Sequence, residues 1–140
     1  MEYFDYPYRV LYADTDRMGV SYYGNYFRWF EAARNEYFRA LGLPYTECEK
    51  KGIFLPVGEA HAKYIAPSTY DDELIIRTSV SRLGSSTVEF QYQAINTKTQ
   101  KVITTGSTLH VFVNRQMKPC RIPEEIRSKV KVRVLLRTKR

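Results

Sequence analysis

The chain has 140 residues, of which 44% are hydrophobic and 14% aromatic, and its formal net charge is +7. This length and composition predict one globular domain with a single core and argue against a disordered chain. No apolar run is long enough for a membrane-spanning helix. Because the first residues also lack the pattern of a signal peptide, we expect a cytoplasmic protein.

The excess positive charge is confined to one end of the chain. Residues 127–140 carry seven basic residues and no acidic residue, whereas the preceding part carries 15 basic and 15 acidic residues. A neutral body without a nucleic-acid-binding motif predicts no nucleic-acid partner. We therefore predict one domain over residues 1–126 and a solvated basic tail over residues 127–140, although the alternation of Val130, Val132 and Val134 is also compatible with a further strand.

The predicted elements begin with a strand and one long helix. Residues 6–14 alternate as an opening strand. From about Tyr23 to Leu41, apolar residues at spacings of three and four predict a helix that is buried on more than one side. Gly42 and Pro44 are typical residues for ending such a helix.

The rest of the chain has the period-two alternation of strands, over residues 55–66, 73–81, 86–95 and 101–113. In the last of these, Ile103, Leu109, Val111 and Val113 are expected to share one face. The connecting turns are short, which predicts antiparallel hairpins. The predicted architecture is therefore α+β, with a curled antiparallel sheet wrapped around one long central helix.

Cysteine and histidine residues give no indication of a metal or disulfide site. Cys48 and Cys120 lie far apart in the sequence, without a second cysteine or a histidine at ligand spacing. His61 and His110 each stand alone within a strand-like run. We predict structural roles for both histidines and no bound metal.

Two sequence motifs resemble those of a known enzyme family. The first is Y-x-D-T-D-x-M-G-V-x-x-Y-x-N-Y-x-x-x-F-E-x-A-R, from Tyr12 to Arg34, and the second comprises Lys63–Pro67 with Tyr70–Leu74. They resemble the acyl-CoA thioesterases of the 4-hydroxybenzoyl-CoA thioesterase type, which have the hotdog fold. The resemblance covers most of the chain, from about Tyr6 to Val113, and excludes the basic tail.

This resemblance implies an enzyme that hydrolyses acyl-CoA thioesters as a homodimer or homotetramer, with active sites at the dimer interface. It implies no cofactor, since coenzyme A is part of the substrate. The second aspartate of the D-x-D pair is catalytic in this family, and it matches Asp16. Tyr23 occupies a position where many close relatives have histidine.

The chemistry of thioester hydrolysis gives Asp16 and the start of the helix complementary roles. Asp16 is expected to act as a nucleophile or as a general base on water, and the sequence leaves both open. The first backbone N–H groups of a helix are unpaired and carry partial positive charge. The backbone N–H groups of Tyr23 and Gly24 are therefore predicted to form an oxyanion hole, and Gly24 permits close approach of the ligand.

Further residues are nominated for supporting roles. Asp14 is predicted to accept hydrogen bonds in the turn. Glu31, which is the base in some other hotdog enzymes, is predicted to be structural because Arg28, Arg34 and Asn35 lie at helical spacing from it. The nominated acyl-pocket residues are Tyr22, Tyr23 and Phe27, and the nominated CoA-phosphate ligands are Arg82, Ser85 and Ser86.

Two other functions remain open from the sequence: a hotdog hydratase or dehydratase acting on acyl thioesters, and a non-catalytic acyl-CoA-binding module. Dehydratases of this fold rely on a histidine in a different motif. Neither histidine of this chain is near the start of the long helix in sequence. We expect a small or medium acyl group, and the many aromatic residues are compatible with an aromatic one.

Overall fold

The computed structural model describes residues 1–135. Within this range one antiparallel sheet of five strands, in the order β1-β3-β4-β5-β2, is accompanied by three helices. None of these helices is long and apolar enough to cross a membrane. In chain order the elements are β1 Phe4–Arg9, α1 Asn25–Ala40, α2 Tyr45–Lys50, β2 Val57–Tyr64, β3 Glu73–Leu83, β4 Thr87–Asn96, β5 Lys101–Val111 and α3 Glu124–Lys129.

The helix α1 lies against one face of the sheet through aromatic contacts. The ring of Phe30 stacks on Tyr92 of β4 at a centroid distance of 4.4 Å. At the β1 edge of the sheet, Trp29 contacts Tyr8 at a centroid distance of 4.7 Å. Six side chains of the helix are buried, as expected for a helix covered on more than one side: Tyr26, Trp29, Phe30, Ala33, Tyr37 and Phe38.

The end of α1 follows the predicted glycine signal. Gly42 has a φ of +78°, in the left-handed region that favours glycine. Its N–H donates to the carbonyl of Arg39 at 3.0 Å, and the N–H of Leu43 donates to that of Phe38 at 2.8 Å. These two bonds form a Schellman motif, which satisfies carbonyl groups left unpaired at the helix end.

The opening strand is shorter than predicted. It ends at Arg9, and residues Tyr12–Asp14 form one turn of 3₁₀ helix. The Asp14 carboxylate accepts a hydrogen bond from the backbone N–H of Leu11 at 2.8 Å, so that donor is unavailable to a sheet partner. The alternation of apolar residues predicted that the strand would continue to residue 14. The hydrogen bond to the Asp14 side chain stabilises a turn there instead.

The prediction that Ile103, Leu109, Val111 and Val113 share one face was wrong, because Ile103 is in the core whereas Leu109 and Val111 point away from the helix. The register between β4 and β5 shifts at Ala94 and Ile95 of β4, because β5 has one extra residue there. Beyond that point Thr104, Gly106, Thr108 and His110 lie opposite the helix-facing residues of β4, whereas Leu109 and Val111 point to the other face. A Cβ on Gly106 would lie 2.5 Å from the Phe30 ring, so a residue without a side chain is required there.

The basic segment after residue 126 contacts the sheet. The helix α3 crosses the predicted domain boundary, and Val132 then forms a parallel bridge with Val80 of β3. The N–H of Arg133 donates to the carbonyl of Val80 at 2.8 Å, and that of Leu135 donates to the Gln91 side chain at 2.8 Å. The last five residues of the predicted tail, 136–140, lie outside the described residues.

Candidate active site

Asp14 organises the loop between β1 and α1. Its carboxylate accepts hydrogen bonds from the Tyr8 hydroxyl at 2.5 Å, the Leu11 backbone N–H at 2.8 Å and the Arg28 guanidinium at 2.8 Å. Its backbone carbonyl accepts from the N–H of Tyr22 at 2.9 Å and the Asn25 side chain at 2.8 Å. The predicted structural role of Asp14 therefore agrees with its contacts.

The surroundings of Asp14 favour its ionised form. Burial by itself raises the pKa of this carboxyl group, but the hydrogen bonds from Tyr8, Leu11 and Arg28 outweigh burial and lower it below the usual value. Asp14 is only 2% exposed. Because three hydrogen bonds already reach this buried carboxylate, it stabilises the loop and has little remaining capacity to bind a reacting group.

Asp16 lies two residues later in a tight, exposed turn. Its N–H donates to the carbonyl of Val20 at 2.9 Å, and the N–H of Gly19 donates to the carbonyl of Asp16 at 2.9 Å. Gly19 has a φ of +81°, which the turn requires and which favours glycine. One carboxylate oxygen of Asp16 accepts from the Met18 N–H at 2.8 Å. Its other oxygen has no hydrogen-bond partner within residues 1–135, so it is available to a ligand.

The start of α1 presents unpaired backbone donors. Tyr22 and Asn25 both use their N–H groups in backbone hydrogen bonds. The intervening N–H groups of Tyr23 and Gly24 have no acceptor in the described part of the chain. These are the two groups predicted to form the oxyanion hole. A Cβ on Gly24 would lie 2.7 Å from the Tyr22 ring, so a side chain there would displace this exposed ring.

Four tyrosine rings surround the start of α1. Tyr22 and Tyr23 contact each other at 4.7 Å and are exposed, and Tyr64 of β2 contacts both Tyr23 at 5.8 Å and Tyr26 at 5.5 Å. The Tyr64 hydroxyl donates to the Tyr23 carbonyl at 3.0 Å. Tyr22 and Tyr23 are thus positioned to contact an acyl group, whereas Phe27 is half-buried and packs on the core. Sequence reasoning missed Tyr64, although it belongs to the second motif.

The residues nominated for the CoA phosphates lie elsewhere in the chain. Arg82 is near the end of β3, and Ser85 and Ser86 belong to the β3–β4 turn. The Asp16 loop adjoins the opposite end of β3, where Glu73 pairs with Arg9. With a rise of about 3.3 Å per residue, the two ends of this strand are separated by roughly 30 Å. Within one chain, Arg82, Ser85 and Ser86 are therefore far from Asp16.

Glu31 lines a cleft between α1, α2 and the segment before β2. The cleft has a volume of about 250 Å³ and includes Arg34, Tyr45 and Leu55 among its walls. Glu31 forms no ion pair with Arg28 or Arg34 within residues 1–135, because Arg28 pairs with Asp14 and Arg34 bonds to Tyr92, so two of its three predicted partners are directed elsewhere. Sequence reasoning did not find this cleft, because Tyr45 and Leu55 belong to segments distant from α1.

The cysteines and histidines are spread through the fold. Cys48 and Cys120 are free thiols. His61 is exposed beside Glu59, whereas His110 is fully buried. In the described part of the chain, no group of three His, Cys, Asp or Glu side chains could hold a metal ion.

Comparison with known protein families gives a match over residues 10–130 to the model of the thioesterase-like superfamily. The chain belongs to the thioesterase-like superfamily. The match includes the Asp16 turn, the start of α1, the β-sheet and α3. Membership agrees with the resemblance found in the sequence, and the likeness to solved thioesterase structures confirms the predicted hotdog fold.

Three relatives of this superfamily illustrate the similarity. Acyl-CoA thioesterase YbgC from Haemophilus influenzae is 31% identical over 89% of this chain and 92% of its own length. The structure of a DHNA-CoA thioesterase from Staphylococcus aureus is 35% identical, with a TM-score of 0.82 over 86% of this chain and 81% of that one. The structure of a gentisyl-coenzyme A thioesterase is 32% identical, with a TM-score of 0.81 over 88% and 98% of the two chains.

Proposed function

We propose that this protein is a cytoplasmic acyl-CoA thioesterase that hydrolyses a small or medium acyl-CoA to the free acid and CoA. One observation carries the proposal: the free carboxylate oxygen of Asp16 lies on the loop that leads directly to the unpaired N–H groups of Tyr23 and Gly24. A carboxylate and hydrogen-bond donors for the developing oxyanion are groups that catalyse addition to a thioester carbonyl. The names of relatives that act on acyl-CoA support the same reaction.

The proposed mechanism divides the reaction between these groups. The thioester oxygen accepts hydrogen bonds from the Tyr23 and Gly24 N–H groups, which stabilise the negative charge that develops there. Asp16 either attacks the carbonyl carbon, forming a mixed anhydride that water then hydrolyses, or removes a proton from an attacking water. In both cases the thiolate of CoA is the leaving group. No cofactor is needed, because both routes use only side-chain and backbone groups.

We further propose that the enzyme is a homodimer formed through the edge strand β2. Most residues of β2 are exposed, and its backbone has a sheet partner on one side only. An exposed edge of eight residues readily pairs with a second copy of itself. Antiparallel two-fold pairing centred on His61 would place Glu59 of one copy opposite Lys63 of the other, which is electrostatically favourable.

This pairing would place the active site at the dimer interface. Tyr64, at one end of β2, contacts the start of α1 through Tyr23, and the Glu31 cleft adjoins the other end of the strand. Antiparallel pairing brings opposite ends together. The helix start of one copy would therefore lie near the cleft of the other, which offers space for the acyl group.

Release of free CoA from a panel of acyl-CoA substrates tests the proposed reaction. We expect turnover of at least one aromatic or short-chain acyl-CoA, with the free acid as the second product. Hydration or dehydration of enoyl- and hydroxyacyl-CoA without CoA release would favour the hydratase alternative. Binding of acyl-CoA without any turnover would favour the binding module instead.

A further inference from the structure

The Glu31 cleft contains an arginine that lacks an acidic partner. Arg34 is half-buried in the cleft wall and donates from Nη1 to the Tyr92 hydroxyl at 3.2 Å. It forms no ion pair with a carboxylate in the described range of the chain. A guanidinium has five N–H donors, so several remain available to the cleft. Removing such a group from water is costly unless a ligand or the protein supplies acceptors.

Arg34 is held by a chain of buried hydrogen bonds. The Tyr92 hydroxyl lies 2.6 Å from Thr108 Oγ1, which lies 2.8 Å from His110 Nε2. The other ring nitrogen of His110 lies 3.1 Å from the carbonyl of Leu55. The chain therefore begins at Arg34, crosses β4 and β5, and returns to Leu55 in the wall of the same cleft.

The Leu55 carbonyl fixes the direction of every bond in this chain. Burial, aided by the positive charge of Arg34, lowers the pKa of His110 to about 4, so its ring is neutral near pH 7. A carbonyl only accepts, so His110 Nδ1–H donates to it and Nε2 must accept from Thr108. Thr108 then accepts from Tyr92, whose oxygen accepts from Arg34. Four consecutive hydrogen bonds, all with the same donor direction, therefore hold the Arg34 guanidinium in place.

A second polar group lies beside Arg34 in the cleft. The hydroxyl of Tyr45, on α2, is buried near the Arg34 guanidinium but has no partner with hydrogen-bond geometry within residues 1–135. Burial raises the pKa of Tyr45, so this hydroxyl keeps its proton. Unpaired buried polar groups are rare and costly, which is expected where a ligand supplies the missing partner. The inner part of the cleft is therefore rich in donors.

We propose that Arg34 is a specificity-determining residue, which binds a neutral oxygen acceptor at the far end of the acyl group. This inference rests on the proposed thioesterase function and concerns its acyl pocket. The acceptor is a carbonyl, ether or hydroxyl oxygen rather than a carboxylate, because Glu31 and Glu49 line the same cleft and repel an anion. Tyr92 acts as a positioning residue, since it orients Arg34 and contacts the acyl group only through it.

The test compares two acyl-CoA substrates of nearly equal size, 4-methoxybenzoyl-CoA and 4-ethylbenzoyl-CoA. The methoxy oxygen accepts a hydrogen bond and cannot donate one. We expect the wild-type enzyme to have the higher kcat/KM for the methoxy substrate. Arg34→Met should reduce this preference by roughly 10- to 100-fold, the range for losing a hydrogen bond to a charged group. The readout is the ratio of the two kcat/KM values measured with the same variant. A loss of activity that affects both substrates equally therefore does not change it.

Further variants separate recognition from a general structural effect. Tyr92→Phe keeps the ring that stacks on Phe30 and removes the acceptor for Arg34, so it should reduce the preference in the same direction by a smaller factor. Arg34→Lys keeps the charge without the planar fork and should also reduce it. Arg39→Met is the matched control, because Arg39 lies on the same helix, pairs with Glu36 and is not part of the cleft.

The outcomes distinguish this inference from the proposed function. The role of Arg34 would be overturned if the wild type had equal kcat/KM values for the two substrates. It would also be overturned if the ratio of these values were unchanged in both Arg34→Met and Tyr92→Phe. Neither result would contradict the proposed hydrolysis. If the wild type hydrolyses no acyl-CoA, binding of 4-methoxybenzamide and 4-ethylbenzamide is compared by ligand-observed NMR. A preference for the methoxy compound that is lost in Arg34→Met supports the inference, and equal binding overturns it.

Discussion

The Tyr64 hydroxyl donates a hydrogen bond to the backbone carbonyl of Tyr23, with an oxygen–oxygen distance of 3.0 Å. This bond ties β2 to the residue whose N–H group is proposed to bind the thioester oxygen. Tyr64→Phe removes the bond and keeps the ring contacts with Tyr23 and Tyr26. We expect kcat to fall about 3- to 10-fold, since net hydrogen-bond contributions of about 1 kcal/mol correspond to such factors. Steady-state kinetics measure this, and an unchanged kcat would show that Tyr64 does not position the donors.

Asp16→Asn should lower kcat by roughly 10²- to 10⁴-fold, the range for losing a positioned base or nucleophile. The substitution nearly preserves shape and keeps an oxygen that can accept from the Met18 N–H. Folding should therefore be retained, which a thermal melt monitored by circular dichroism checks. Near-wild-type turnover would exclude Asp16 as the catalytic carboxylate and would direct attention to Glu31.

Asp14→Asn should act on stability more than on turnover. Asn cannot accept all three hydrogen bonds that reach the Asp14 carboxylate, so we expect the free energy of unfolding at pH 7 to fall by about 2 kcal/mol. The lowered pKa of Asp14 sets the pH dependence. A carboxylate with a lowered folded-state pKa contributes stability that is present above its unfolded value of about 3.9 and lost as the pH falls through the folded value.

Urea denaturation of the wild type and Asp14→Asn over a pH series measures this dependence. The difference in unfolding free energy should be constant near neutral pH and should shrink as the pH is lowered towards 3. A difference that does not change with pH would mean that the charge of Asp14 contributes nothing beyond its shape. Equal losses of kcat in the Asp14 and Asp16 variants would argue that both residues only shape the turn.

The proposed two-fold pairing of β2 is tested by exchanging charges. Glu59→Lys would place two lysines, residues 59 and 63 of opposite copies, next to each other and should weaken the dimer. Lys63→Glu should weaken it similarly, whereas the double variant restores opposite charges and should restore dimerisation. Light scattering over a range of concentrations measures the mass. Single variants that dimerise like the wild type would contradict this register.

Removal of residues 130–140 should destabilise the domain. Val130 and Leu135 are each 8% exposed, and the segment donates backbone hydrogen bonds to Val80 and Gln91. Burial of two aliphatic side chains, offset by the entropy of ordering the segment, gives a loss of about 2 kcal/mol in unfolding free energy. A chain ending at residue 135 is the reference, so the difference isolates residues 130–135. Equal denaturant midpoints would mean that this segment is not stabilising.

Local signals in the sequence were sufficient to predict most of the secondary structure. The apolar spacing around Phe30 predicts α1, Gly42 predicts its end, and alternation predicts four of the five strands with small errors at their ends. It also nominated Asp16 and the N–H groups of Tyr23 and Gly24, because their proposed roles depend only on a turn and a helix start within residues 16–24. Such features depend on short-range backbone geometry, which neighbouring residues dictate.

Contacts between residues that are distant in the chain depend on the folded sheet and could not be predicted from the sequence. Arg34 contacts Tyr92, and Tyr64 contacts Tyr23, because strand register brings together residues 58 and 41 positions apart in the chain. One extra residue in β5 puts Leu109 on a different face from Ile103, and a hydrogen bond from the Leu11 N–H to the Asp14 carboxylate replaces the strand predicted beyond Arg9. The alternation of a strand specifies its period but neither its partner nor the position of a bulge, which depend on the packing of the whole sheet.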